Sequence, residues 1–446
     1  MGSSHTTAPV WPASRRLIVW VSFVVFCALG MAYTQLPYVK IPFVGTITYF
    51  EVLLLPAGLL GIGPLLRIAG ARERSGARTM CRIIIAYLAF ELLFVVPVAG
   101  WIGTAKTTAV LSELAVRFTW VLFPVVLVLC TDDRVRRRAS FVVIAAGVCL
   151  VLWGVYTAAA GGGGGYYLEG EDLRYRILYG GSLMLFAWPL VVALSGDVRR
   201  RSTLALLAIP LAGLLLTNMR SGYIACAVAA VACLVLSKQV RRVVPWIVPV
   251  ALVAVVVGLL WGQQAGSAFG YTMSHLFDLG SSTGADRVAR DVLAWNYFAK
   301  YPFSDYVWTW RYYLVYLQNP YGPHNFVANI AVTEGVAGLV FYASILVVAL
   351  RHTWSWVWKD VEVRMLVCYL LLYLVFQSAN SGFYAPVNIA LFIAAVAALV
   401  ARIDRLRREK ASGGLAAAVS EGSRGPVDVH EGLLPQGSAP KGGDPS

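Results

Sequence analysis

His324 is the residue of this sequence best suited to proton transfer. It lies in the segment Tyr321–Phe326, where a Gly-Pro turn leads into a long apolar run. Histidine is the side chain whose ordinary titration falls near neutral pH, so it can act as a base there. A single histidine is more often structural, and the five histidines of the chain are too widely spaced to bind one metal ion. His324 is therefore a candidate base, with a structural role as the alternative.

Three arginines are candidates for holding a negatively charged group. Arg220 lies in a short turn between two apolar runs, and Arg287 and Arg290 lie on one face of a helix predicted over 284–300. Arginine keeps its charge and binds phosphate oxygens in a forked geometry. The alternatives are that Arg220 contacts lipid phosphate and that Arg287 forms a surface ion pair with Asp291.

Other charged residues lie within or beside apolar runs, where a charge needs a reason. Glu51 stands at the start of the second run, either as a charge favoured by the helix dipole or as part of a cavity wall. Glu113 and Arg117 are one helical turn apart, so pairing is favoured over catalysis. Glu334 follows His324 inside the next run. No metal-ligand spacing and no glycine-rich phosphate loop is present, so neither metal nor cofactor is predicted.

The composition is that of a membrane protein. Of 446 residues, 59% are hydrophobic and only 13% are charged, and the mean hydropathy is +0.69. A soluble protein carries about a quarter charged residues. The net charge of +14 comes from short clusters between apolar runs. That distribution is typical of charges that orient a membrane protein and argues against nucleic-acid binding.

About 12 runs are long enough to span a membrane, which needs roughly 20 apolar residues. They are predicted at 17–34, 49–68, 81–100, 113–131, 139–158, 179–195, 203–218, 220–237, 243–261, 326–350, 365–380 and 383–401. The arginine clusters place both chain ends in the cytoplasm. The predicted organisation is a cytoplasmic segment 1–16, an all-α membrane domain 17–401 with a large outer loop 262–325, and a basic, disordered cytoplasmic tail 402–446.

Three segments of the chain resemble the O-antigen ligase and polymerase superfamily of membrane glycosyltransferases, and the likeness covers roughly residues 170–345. The segments are His324-Asn325 followed by Glu334, Gly335 and Gly338; Asp286-Arg287 followed by Tyr301-Pro302-Phe303; and the turn 217–222 around Arg220. Their order and spacing carry the resemblance together.

The resemblance implies a glycosyltransferase fold of the C type and transfer of a glycan from a polyprenyl-diphosphate carrier to an acceptor hydroxyl. His324 would be the base, and Arg220 and Arg287, helped by Arg290, would hold the diphosphate. A single displacement would invert the anomeric centre. The supporting residues would be Asn325, Glu334, Glu113, Arg117 and Glu51. The reaction would need no metal, and the site would face outward from the inner or plasma membrane.

Two other functions fit the same pattern of spans and charges. One is a polysaccharide polymerase of the same superfamily, and the other is a transporter or flippase for a lipid-linked glycan. The charges gather on the predicted outer side rather than at the midplane, which favours the enzyme. The expected partners are the lipid-linked donor, membrane lipids and an acceptor that is a lipid, a glycan or a protein.

Overall fold

Helices dominate the protein in the computed structural model. The structure describes residues 38–41, 45–95, 97, 117–159, 165–169, 172–176, 178, 180–195, 200–217, 219–237, 282–303, 323–379 and 386–422. The first and ninth predicted spans, 17–34 and 243–261, lie outside these residues. The helical core agrees with the predicted fold class.

Thirteen α-helices lie within the described residues. They are α1 (Tyr49–Gly70), α2 (Gly76–Phe90), α3 (Leu122–Cys130), α4 (Asp133–Ala159), α5 (Leu183–Ser195), α6 (Arg200–Thr217), α7 (Arg220–Ser237), α8 (Ser282–Lys300), α9 (Phe326–Thr333), α10 (Gly335–Leu350), α11 (Trp354–Val357), α12 (Val361–Gln377) and α13 (Pro386–Gly422). A π-helical turn, Glu91–Val95, follows α2.

Two antiparallel hairpins join the helices in the described residues. Strands β1 (Tyr38–Ile41) and β2 (Gly45–Thr48) lead directly into α1. Strands β3 (Gly165–Glu169) and β4 (Asp172–Arg176) pair where a flexible loop was expected. The Tyr-Tyr-Leu run of β3 has high strand propensity, which explains the second hairpin.

The core is centred on α5. Residues Leu183 to Ala187 are fully buried, and α5 packs against α4, α6, α7 and α12. A helix that is apolar and buried on all sides belongs at the centre of a bundle. Polar side chains define where surrounding helices begin: the Ser75 hydroxyl accepts the Arg78 N–H at 3.1 Å, and the Asp360 carboxylate accepts the Val363 N–H at 2.9 Å.

Two of the described helices are long and apolar enough to cross a membrane, at Val135–Thr157 and Arg220–Ser237. Five shorter apolar helical stretches of 10–17 residues accompany them. Large apolar side chains cover much of the outer surface, and these expose more than half of their area: Leu59, Leu66, Phe141, Leu152, Val231 and Val347. So much apolar surface in contact with the surroundings favours a lipid environment.

Besides the second hairpin, the structure departs from the predicted elements in two places. The span predicted at 326–350 is broken into α9 and α10 at Glu334, where Gly335 has φ of 61°. Glycine adopts this left-handed conformation without steric strain, and a continuous helix cannot contain it. The last helix continues to Gly422, so residues 411–422 are helical where disorder was predicted. The strong helix formers Leu415 to Ala418 account for the extension.

Candidate functional site

His324 is fixed by a carboxylate from another helix. Asp291 of α8 accepts the backbone N–H of His324 at 3.1 Å and that of Asn325 at 3.3 Å, both through Oδ1. The Asn325 side chain in turn accepts the Val327 N–H at 2.8 Å and caps α9. Asn325 is therefore a structural support of this junction. One carboxylate oxygen thus holds the backbone of His324 and of the residue after it.

The helices α8 and α9 run side by side in the same direction. Ala294 and Tyr297 of α8 form a fully buried cluster with Ala328 and Val332 of α9, and Tyr301 packs against it. The order of these residues matches along both helices, starting from the Asp291 contact at the His324 end. The packing therefore extends the backbone hydrogen bonds into a continuous contact between the two helices.

A second fixed point lies at the far end of the two helices. The Pro302 carbonyl, just beyond α8, accepts the N–H of Val336 in the first turn of α10 at 2.8 Å. Asp291 and Pro302 are eleven residues apart, which at 1.5 Å per helical residue is about 16 Å. The pair α8 and α9 is thus held at both ends, and His324 is placed by the whole length of this contact.

Arg287 and Arg290 extend this arrangement beyond the start of α9. Residues four apart lie on the same face of a helix. Arg287 therefore shares the face of Asp291, and Arg290 shares the face of Ala294, each one turn closer to the start of α8. Since Asp291 contacts the residues just before α9, both arginines lie at the His324 end of the helix pair.

The charges around Asp291 act in opposite directions. Burial raises the pKa of the Asp291 carboxyl, and the N–H donors of Asn325 and His324 and the charge of Arg287 oppose that rise. The charge of Arg287, which was predicted to pair with Asp291, is therefore one of several influences on this carboxyl. It does not stand alone, because the same carboxylate holds the backbone of the loop.

The apolar stripe predicted for this helix is not the face that packs. Val288, Val292 and Trp295 expose between 40% and 52% of their surface, whereas Ala294 and Tyr297 are buried. Alanine and tyrosine were overlooked because a stripe of valines dominates the periodic pattern. The exposed stripe remains available to lipid or to the apolar part of a ligand.

Glu334 is buried at the break between α9 and α10, where its Oε2 accepts the hydroxyl of Tyr87 at 2.5 Å. The ring of Tyr87 stacks on Phe341, with centroids 3.9 Å apart. The two glycines that follow Glu334 have separate roles. Gly335 provides the positive φ, and a Cβ at Gly338 would meet the side chain of Glu334, including Oε2 at 2.6 Å. Glu334 is a structural support rather than a group open to a substrate.

We expect Gly338→Ala to destabilise the protein by about 1–3 kcal/mol, the range for overpacking a filled interior. The added methyl would displace the Glu334 side chain from Tyr87. The matched control is Gly63→Ala in α1, where an added Cβ meets nothing within 4 Å. Thermal unfolding in detergent compares the two variants. Equal melting temperatures would mean that the Glu334 contact has no tight geometry.

A buried ion pair supports the same helix break. Arg117 Nε lies 3.3 Å from Glu91 Oε2, and each side chain is only 1% exposed. Arg117 also donates to the carbonyl of Thr333, the last residue of α9, at 3.4 Å. Glu113, the partner predicted for Arg117, lies outside the described residues. Glu91 was missed, although a carboxylate inside an apolar run is a signal of its own.

Two further candidates lie elsewhere in the chain. Arg220 is the first residue of α7, a helix that packs mainly against α12 and α5, and its side chain is partly buried. Glu51 lies in the first turn of α1, where the helix dipole favours a negative charge. The described contacts bring His324 and Asn325 to Asp291, the charge of Arg287 acts on the same carboxyl, and Arg290 lies one turn before Ala294 on the same helix. Arg220 and Glu51 belong to other helices.

The described part of the chain contains no group of three side chains suited to hold a metal ion. The chain matches no known protein-family model and no curated protein sequence. The assignment of a function therefore depends on the chemistry that this arrangement of residues can perform.

Proposed function

We propose that the protein transfers a glycan from a polyprenyl-diphosphate-linked donor to an acceptor hydroxyl, in the manner of an O-antigen ligase. The observation that carries this proposal is the arrangement around Asp291. It holds the backbone of His324 at the end of α8 from which Arg287 and Arg290 project. A base and two permanent cations at one end of a fixed helix pair suit a reaction whose leaving group is a diphosphate.

The proposed reaction is a single displacement. His324 takes the proton of the acceptor hydroxyl while the acceptor oxygen forms a bond to the anomeric carbon. The bond from that carbon to the diphosphate oxygen breaks, and the electron pair leaves with the polyprenyl diphosphate. The arginines neutralise the charge that develops on this leaving group, which is the role a metal ion plays elsewhere. Attack opposite the leaving group inverts the anomeric centre.

The proposed setting is a multi-pass protein of about 12 spans in the inner or plasma membrane, with His324 outside. The two helices long enough to span a membrane and the apolar outer surface support membrane embedding. The arginine clusters support the orientation. The apolar stripe Val288, Val292 and Trp295 suits a helix lying at the interface, next to the polyprenyl chain of a donor.

Replacing Arg287 by alanine should lower the turnover of glycan transfer roughly ten- to a hundredfold, because a hydrogen bond to a charged group is worth about 1.5–3 kcal/mol. Arg220→Ala should act in the same direction if the turn before α7 contributes to the donor site. Lysine at either position should restore turnover only partly, since an ammonium lacks the forked geometry. The measurement is the transfer rate at saturating acceptor.

Asp291→Ala separates the two roles considered for Arg287. It removes the carboxylate that Arg287 faces and also releases the backbone of His324. A surface ion pair alone predicts that both alanine variants keep full activity. The proposed function predicts that both lose activity, with Asp291→Ala also changing the accessibility of the residues next to His324 to proteases.

The decisive experiment uses purified protein in detergent with a synthetic polyprenyl-diphosphate-linked oligosaccharide. Product formation without a membrane gradient means an enzyme, whereas a transporter makes no product under these conditions. The mass of the product distinguishes ligation from polymerisation, because a polymerase adds repeat units to another donor molecule. Lipid, glycan and protein acceptors are offered in parallel. No product with any acceptor, from protein that still binds the donor, would contradict the proposal.

A further inference from the structure

A cavity of about 530 Å³ opens among the helices α4, α12 and α13, away from the His324 junction. Its charged lining residues gather at one end of it: Arg136, Arg137, Lys359, Asp360, Glu362 and Arg402. Four cations face two carboxylates there, so the mouth of the cavity carries an excess of two positive charges. A negatively charged ligand is favoured at this end.

The two carboxylates hold two of the arginines in place but do not cancel all of the positive charge at the mouth. Arg402 binds Asp360 through both nitrogens of its fork, at 2.6 and 3.3 Å, and Glu362 lies 3.5 Å from the same guanidinium. Arg136 pairs with Glu362. Burial works to raise the pKa of Asp360, but the hydrogen bond and charge of Arg402 and the Val363 N–H lower it by more. Asp360 and Arg402 are therefore both charged at neutral pH, and their ion pair fixes the position of these two side chains at the mouth of the cavity.

Arg137 and Lys359 supply the positive excess. Both side chains are exposed at the rim of the cavity, and among the carboxylates whose side chains the structure describes, none forms an ion pair with either. The two cations can therefore approach an incoming anion without breaking an existing pair.

The interior of the cavity is apolar. Along α13 the lining runs from Arg402 back to Leu391, eleven residues or about 16 Å deeper. The polar side chains in this region direct their hydrogen bonds into the protein. Trp188 Nε1 donates to the Ser140 hydroxyl at 2.7 Å, and the Tyr369 hydroxyl donates to a backbone carbonyl at 3.0 Å. The floor is left with aromatic rings and small alanine side chains.

We infer that this cavity binds an anionic phospholipid, with the phosphate at the Arg137 and Lys359 rim and an acyl chain along the floor of α13. A basic rim above an apolar interior between helices matches both parts of such a lipid. The volume lies within the range of about 300–1,000 Å³ that small-molecule sites occupy, and a free phosphate would leave the apolar depth empty. The inference requires that the chain is embedded in a membrane, but not that it transfers a glycan.

Native mass spectrometry of the detergent-purified protein tests this inference, with phosphatidylglycerol and phosphatidylethanolamine of matched acyl chains. One bound phosphatidylglycerol is expected, retained well above the zwitterionic lipid. The double variant Arg137→Ala/Lys359→Ala should lower its affinity roughly thirtyfold, from two nearby charges. The control Arg72→Ala/Arg74→Ala removes the same charge from an exposed loop outside the cavity and should leave binding unchanged.

The depth of the site is tested by Ala395→Phe, which fills the floor without altering any charge and should abolish lipid binding. Its control is Ala227→Phe on the exposed surface of α7. Equal retention of both lipids, or unchanged binding by both cavity variants, would overturn the inference. Competition by free sn-glycerol 3-phosphate as strong as that by the whole lipid would also overturn it. The charge variant keeps the test decisive if the phenylalanine lowers stability.

The lipid site and the proposed glycan transfer can fail separately. His324→Gln alters the proposed base and leaves the cavity untouched, so it should bind phosphatidylglycerol like the wild-type protein. Loss of lipid binding in that variant would contradict the placement of the site. Absence of glycan transfer would leave the lipid measurement unaffected.

Discussion

Replacing His324 by alanine should lower the turnover of glycan transfer by roughly 10²–10⁴-fold, the scale usual for loss of a general base. His324→Gln should be nearly as impaired, because an amide forms hydrogen bonds but cannot take up a proton. Both variants should fold and bind the donor. The backbone N–H of residue 324 still reaches Asp291, and the imidazole is only partly buried. The matched control is His352→Gln, which changes a histidine in the turn after α10 and should retain activity.

The pH–rate profile gives a second measure of the same role. Activity should fall as the pH drops through roughly 6.5, where an ordinary histidine becomes protonated, and this limb should vanish from the residual activity of His324→Gln. The titration of Asp291 affects stability with the opposite sign. Its pKa is raised in the folded protein, so its contribution to stability is fully present below the ordinary value of 3.8. That contribution is lost as the pH rises through the raised value.

A fully active His324→Gln would mean that the side chain only orients the loop or the substrate. The base would then have to come from one of the carboxylates. Glu334 is enclosed by Tyr87 and Gly338, which leaves little room for a substrate. Glu51 or Glu113 would be the next residues to replace.

Arg117→Met should destabilise the protein by about 3–5 kcal/mol, because it leaves the buried carboxylate of Glu91 without its opposite charge. The double variant Glu91→Gln/Arg117→Met should recover most of this loss, since neither residue then carries a charge. The recovery distinguishes an uncompensated charge from lost packing. Unfolding by denaturant in detergent, followed by the loss of helical circular dichroism, measures both variants.

Arg405→Met provides the surface reference for this experiment. Arg405 and Glu409 lie 2.7 Å apart one helical turn from each other, with side chains 33% and 52% exposed. Exposed pairs of this kind contribute about 0–1 kcal/mol. If Arg117→Met is no more harmful than Arg405→Met, the Glu91 carboxyl is protonated in the folded protein and the ion pair is absent.

Local sequence rules explain part of the site. An asparagine directly before an apolar run predicts the cap at Asn325, and a histidine delivered by a Gly-Pro turn predicts a side chain at a helix junction. The amphipathic pattern over 284–300 predicts α8 almost to the residue. These features depend on neighbours within a few positions, which is why the sequence alone could reveal them.

Long-range contacts account for what the sequence could not reveal. Spacing suggests that Asp291 lies near Arg287, one turn away. It does not reveal that Asp291 also accepts hydrogen bonds from residues 33 and 34 positions downstream. Arg117 pairs with Glu91, 26 positions upstream, and no local spacing indicates that contact. In the sequence, the arginines around the cavity look like the charges that orient a membrane protein, and nothing in their spacing indicates a cavity. Their convergence on one space depends on the packing of three helices.

Helix α8 is attached at two points, through Asp291 to the residues before α9 and through Pro302, just beyond its end, to α10. Residues 304–322 leave the pair at Phe303, beside the start of α10, and return at Pro323, beside Asp291. Both attachment points are set by contacts outside that segment, about one helix length apart. Connections anchored in this way tolerate changes of length and sequence. We therefore expect His324 to stay in place when the sequence of 304–321 is varied, so that changes in this segment need not move the proposed base.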